Sequence, residues 1–123
     1  MYFLTEKGNM FEVFHSLFEK LFQSDRLGGA SRSSEWSAVR KGFARKNPSC
    51  AVCGNRRIQV HHVVPFHKAP ELELEESNLI SLCQGLLTNR CHLLFGHLGS
   101  WRSWNASVRE DAAYMNLKIE NRP

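Results

Sequence analysis

Apolar residues recur at helical spacing from Phe11 through Phe14, Leu17 and Phe18 to Leu21 and Phe22, and Asn9 with Glu12 three residues on has the form of a helix start. The spacing predicts an amphipathic helix over Met10–Gln23. Its one-sided phenylalanine stripe needs a cover, either the domain that follows or a second copy of the chain. The stretch 24–34 is rich in Gly, Ser and Arg and reads as a linker, after which Ser34 is placed to cap a helix from Glu35 to about Arg45 with Trp36, Val39 and Phe43 on one face. Pro48 ends it. The run Ile58-Gln59-Val60-His61-His62-Val63-Val64 reads as a β-strand stopped by Pro65, and Leu79-Ile80-Ser81-Leu82 as a second short strand reaching Cys83. A helix is expected from near Asn89 through Cys91 and His92 toward His97. Ser107 with Glu110 then opens a last helix, Val108 to Ile119, with Val108, Ala112, Met115 and Ile119 on one side.

At 123 residues and 14.1 kDa the chain has room for one domain with a helical appendage, so its core is small and a metal staple is physically useful. The net charge of +4 and pI of about 9.1 favour a polyanionic partner. Charge interrupts the first residues too early for a secretory apolar core, and no segment approaches the roughly 18 apolar residues of a membrane span. A soluble, intracellular, cytoplasmic protein is the expectation, with no membrane partner. In a reducing compartment, Cys50-Ala51-Val52-Cys53-Gly54 forms a metal-ligand pair more readily than a disulfide. With Cys83 and Cys91, the four thiols can hold one structural Zn²⁺. His and Asn side chains between and after them remain for a second metal and for acid-base chemistry. Adjacent strand residues face opposite ways, so His61 and His62 cannot do the same job.

The ordered pattern Cys50-x-x-Cys53-Gly54, Val60-His61-His62-Val63-Val64-Pro65, Asn78-Leu79-Ile80-Ser81-Leu82-Cys83, Cys91-His92 and His97 resembles the HNH endonucleases in their four-cysteine zinc variant. The resemblance covers about Glu35 to His97. It implies an α+β fold: a small ββα-metal (HNH or His-Me finger) domain with a structural zinc and flanking helices, here divided as 1–30, 31–105 and 106–123. It also implies metal-dependent hydrolysis of DNA phosphodiester bonds. On this resemblance His61 is a ligand of the catalytic divalent metal, Mg²⁺ or Mn²⁺, Ni²⁺ or Zn²⁺, and His62 is the general base that activates water. Asn78 constrains the loop and orients that base or supports it from outside. His92 completes the metal site, with His97 as a further ligand or phosphate contact.

Two departures from the family pattern are visible. Seven residues, Gln84 to Arg90, separate Cys83 from Cys91 where two are usual, so the surplus must bulge out as a loop if the thiols are to converge. His92 and His97 stand five apart, which on a regular helix turns them roughly 140° from each other, against roughly 40° for a spacing of four. Sharing one ion requires a π-bulge or a helix that breaks at Gly96.

Arg40, Lys41, Arg45, Arg56, Arg57 and Arg102 are the candidate nucleic-acid contacts, although a solvated helix face would look the same. Trp101 and Trp104 around Arg102 either seal the core or stack on bases. Glu71, Glu73, Glu75 and Glu76 make an acidic loop that DNA must avoid, unless it points away, holds cations or moves. His15 and His67 read as surface residues. A single such site cuts one strand, which makes the phenylalanine stripe a candidate homodimer surface. The alternative is a non-catalytic zinc module that binds nucleic acid or protein through the same basic surface.

Overall fold

Two short strands pair antiparallel, β1 (Ile58–His62) and β2 (Leu79–Cys83), in a register that sets Ile58 opposite Cys83, His61 opposite Ile80 and His62 opposite Leu79. The computed structural model describes residues 31–86 and 89–123; the expected helix over Met10–Gln23 and residues 24–30 of the linker lie outside them. Every residue of both strands is buried, so both faces of this hairpin are covered. On one face Val60 and Leu79 pack with Trp36 and Phe43 of helix α1 (Trp36–Lys46). The larger cluster joins Ile58, Ile80, Leu82 and Cys83 to Cys50, Val52 and Cys91, and to Val108 and Ala112 of helix α2 (Val108–Glu120). The architecture is α+β. No described helix is long and apolar enough to cross a membrane.

The outer edge of β2 carries no bare row of backbone groups. The Ala51 N–H donates to the Ser81 carbonyl at 2.9 Å, and the Arg109 guanidinium donates to the carbonyls of Ser77 and Leu79. Ser81 Oγ in turn donates to the Asn47 carbonyl at 2.7 Å, tying the end of α1 to the strand.

Several local expectations are corrected. The Glu35 N–H is received by Ser33 Oγ rather than by Ser34, and the helix begins at Trp36, whose N–H finds the Ser33 carbonyl. Strand β1 ends at His62 and not at Val64, because the Asn78 side chain takes over the pairing: Oδ1 accepts the Val64 N–H at 2.8 Å and Nδ2 donates to the Val64 carbonyl at 3.0 Å. Ser107 makes no side-chain cap to α2; Asn105 Oδ1 accepts the Ser107 N–H instead. Toward His97 the chain is π-helical over His92–Gly96, the form that the five-residue spacing requires if the two histidines are to converge. Phe43 is 7 % exposed. Phe43→Ala is expected to lower stability by about 3 kcal/mol in urea denaturation of the zinc-loaded protein, and a loss below about 1 kcal/mol would show that α1 is not held by this face.

Candidate metal centre and acid-base site

The turn after α1 brings the first thiol pair together. Gly54 sits at φ +77°, and its N–H returns to the Cys50 carbonyl at 2.9 Å, a turn that a side chain would strain. Strand β2 delivers Cys83, and Cys91 follows from a loop that closes on itself through the Gly85 N–H and the Asn89 carbonyl at 2.9 Å, with Asn89 in the left-handed region. The seven-residue spacer therefore leaves the ligands together. The sulfurs of Cys50, Cys53, Cys83 and Cys91 all lie within 4.8 Å of one another, and none forms a disulfide. The Cys53 and Cys83 sulfurs are 3.6 Å apart. Tetrahedral sulfurs at zinc–thiolate bond length would be roughly 3.8 Å apart, so the cluster has the dimensions of a zinc site.

Its electrostatics agree. The Cys83 and Cys91 thiols, acting as donors, pull the Cys50 pKa down, and their hydrogen bonds to Cys50, followed by burial, push Cys83 up to about 12 and raise Cys91 as well. One thiolate is readily formed; four thiolates require a cation among them.

A second cluster lies on the opposite side of β1 from Trp36. The ring nitrogens of His61, His92 and His97 offer ligand atoms within 4.8 Å of one another. The rings meet edge to face, with centroids 4.9 to 5.0 Å apart. The π-turn explains how a spacing of five can converge, since its wider turn returns residue i+5 to the face of residue i. His92 Nδ1–H donates to Gln84 Oε1 at 2.8 Å and His97 Nδ1–H to the Ser103 carbonyl at 2.8 Å, leaving Nε2 of each as a lone-pair donor. His92 Nε2 lies 3.1 Å from His61 Nδ1, while His97 Nε2 is buried with no hydrogen-bond partner. Converging imidazole lone pairs, oriented from behind by carbonyl acceptors, are the arrangement that a borderline metal ion completes. Burial lowers the pKa of His61 well below the ordinary value and lowers that of His97, keeping the rings neutral and able to bind.

Gly96 permits the close approach. A Cβ there would stand 3.1 Å from His61 Cε1 and 3.2 Å from Leu82 Cδ1. Trp101 closes another side, its ring 5.2 Å from His92 and 4.9 Å from His97 between centroids. The Trp101 ring thus lies against the histidines.

His62 belongs to the other face of β1. Its ring is 0 % exposed, lies 4.5 Å from the Trp36 ring between centroids, and donates Nε2–H to the Glu73 carbonyl at 3.0 Å. That bond selects the tautomer with its lone pair on Nδ1. Burial pushes the His62 pKa down to about 4; the Glu73 carbonyl acts against this and the nearby Arg32 charge adds to it. Asn78 is also buried and sets the loop between the strands through Val64.

The basic candidates divide. Lys41, Arg45, Arg56, Arg57 and Arg102 are exposed, whereas Arg40 is half-buried, with its pKa lowered by burial. Of the acidic loop, Glu71, Glu75 and Glu76 face solvent, with Glu76 paired to Lys46, but Glu73 is turned inward. Sequence reading missed Gln84, Ser103 and Glu73 as supports, because two act through backbone carbonyls and the third sat within an apparent spacer. His67 is exposed.

Residues 50–94 match the family model of the HNH endonuclease. No curated protein and no solved structure matches the chain. The matched segment contains both strands, all four cysteines, His61, His62, Asn78 and His92, and ends three residues before His97.

Cys50→Ser is expected to lose zinc by elemental analysis and to unfold at lower temperature, because a structural zinc contributes folding free energy directly. Unchanged stability in a zinc-free protein would contradict the assignment. A pH effect follows from His62. Unfolded, the ring takes a proton as pH falls through its ordinary value of 6.5, whereas folded it stays neutral to about 4. The unfolded state therefore binds more protons across this window, and stability contributed by the neutral ring is present above pH 6.5 and lost as pH falls toward 4. The stability difference between the parent and His62→Gln should shrink by about 3 kcal/mol over that descent, as read by denaturation at a series of pH values.

Proposed function

Because residues 50–94 carry an HNH endonuclease domain, we propose that the chain is a metal-dependent endonuclease that hydrolyses DNA phosphodiester bonds. The observation that carries this reading is the separation of roles on one strand: His61 joins the converging imidazoles, while its neighbour His62 is held neutral with a defined tautomer. His62 Nδ1 takes the proton of the attacking water, and the neutral state it needs persists throughout the physiological range. His61, His92 and His97 hold the divalent ion. When bound, that ion supplies Lewis-acid stabilisation of the charge growing on the phosphate and the leaving oxygen. Three neutral imidazoles favour Mn²⁺, Ni²⁺ or Zn²⁺ over Mg²⁺, which prefers carboxylate and water oxygens. The four thiolates hold the structural zinc. Asn78 fixes the loop that carries the His62 anchor, and the exposed Lys41, Arg45, Arg56, Arg57 and Arg102 supply phosphate contacts. A nick is the product of one such site; a double-strand break takes two.

One observation favours a second reading, a zinc-stabilised binding module without catalysis. His62 is fully enclosed by Trp36 and Glu73, as a purely structural histidine would be. A plasmid-nicking assay with Mg²⁺, Mn²⁺, Ni²⁺ or Zn²⁺ separates the two. Cleavage by the parent is expected to fall on the order of a hundredfold or more in His62→Ala, with the four-cysteine zinc retained. No cutting under any metal would leave the binding module, and cutting that ignores His62 would overturn its role as the general base.

A further inference from the structure

We propose that Glu73 and Arg32 form a clasp that positions His62, with the segment just ahead of α1 as its outer half. The proposal rests on His62 being the general base. The Glu73 backbone carbonyl anchors His62 Nε2–H at 3.0 Å, so displacement of residue 73 displaces the ring. The side chain of the same residue is 3 % exposed, in a loop whose other three glutamates face solvent. Its Oε1 accepts the Ser33 N–H at 2.8 Å, and its Oε2 faces Arg32 Nη1 at 3.6 Å. Ser33 lies forty residues upstream, with Arg32 beside it, so the contact is not local turn chemistry.

Arg32 braces the remaining walls. Its guanidinium stands 4.3 Å over the Phe66 ring centre and 5.7 Å from that of Trp36, and Trp36 is the ring packed on His62. The two groups enclosing His62, an indole and a carbonyl, are therefore both tied to one guanidinium. A carboxylate turned into the interior is costly unless paired and hydrogen-bonded, and a loop that needed only to close would leave Glu73 in water with its neighbours. Asn78 secures the far end of this loop through Val64, and the clasp secures its middle. Glu73 and Arg32 are thus positioning residues, acting through the anchor of the base rather than on substrate.

The test compares the full-length parent with Glu73→Gln, Arg32→Ala and Arg32→Lys, each loaded with zinc at the cysteines. Glu73→Gln keeps an acceptor for Ser33 and removes the ion pair. It remains decisive if Arg32→Ala, which leaves a buried carboxylate alone, fails to fold. The first readout is the Nε2–H resonance of His62 in spectra of nitrogen-15-labelled imidazole. The second is steady-state cleavage of a plasmid in Mn²⁺. The clasp predicts a shifted or broadened His62 resonance in Glu73→Gln and Arg32→Ala, with kcat down on the order of tenfold to a hundredfold, KM unchanged, and partial recovery in Arg32→Lys. An unshifted resonance in both Glu73→Gln and the folded Arg32→Ala overturns the clasp. A parent that never cuts, with the resonance shifted in the variants, removes the nuclease reading and upholds the clasp as an anchor of His62.

Discussion

The pairing register of β1 with β2 is the constraint on which the rest of the molecule depends. His61 stands opposite Ile80 and His62 opposite Leu79. Side chains alternate along a strand, so a slip of one residue would turn His61 against Trp36 and drive His62 among the other imidazoles. Register is held at both ends. Cys83, the last residue of β2, is committed to the sulfur cluster, and Asn78, just ahead of β2, is committed to the backbone of Val64. Both commitments are made by side chains with few alternatives.

The two clusters are stitched together by consecutive residues. Cys83 goes to sulfur while Gln84 orients His92; Cys91 goes to sulfur while His92 joins His61 and His97. An ion among the thiolates would therefore position the imidazoles without touching them, and the soft and borderline donor sets stay separate. The loop of residues 97–105 closes the arrangement. Its Ser103 carbonyl orients His97, Trp101 covers the rings, and Asn105 is pinned to the Phe95 carbonyl at 3.0 Å and to Asp111 of α2 at 2.7 Å. Helix α2 is thus tied to the site by Asn105 and to the sulfur-bearing turn by Asn116, which donates to the Val52 carbonyl at 3.0 Å.

Desolvation gives the histidines their chemical character. Burial is the leading cause of the lowered pKa of His61, His62 and His97 alike. The same effect serves two ends: neutral imidazoles gathered on one face, and a neutral ring on the other.

Much of this was legible in the chain. Paired cysteines at that spacing announce a soft-metal site, and consecutive histidines on an apolar strand must divide between its faces. The strands, α1 and α2 also follow from local apolar patterning, which acts within a few residues. The fate of Gln84, Ser103 and Glu73 was decided only by folding. Two of these act through backbone carbonyls, which carry no sequence signature, and the Glu73 carboxylate finds Ser33 forty residues away, with Arg32 beside it. The His92–His97 spacing shows both sides of the division: five residues rule out a shared face on a regular helix, and only the packed chain, with Gly96 pressed against His61, opened the turn into a π-helix that brings the rings together.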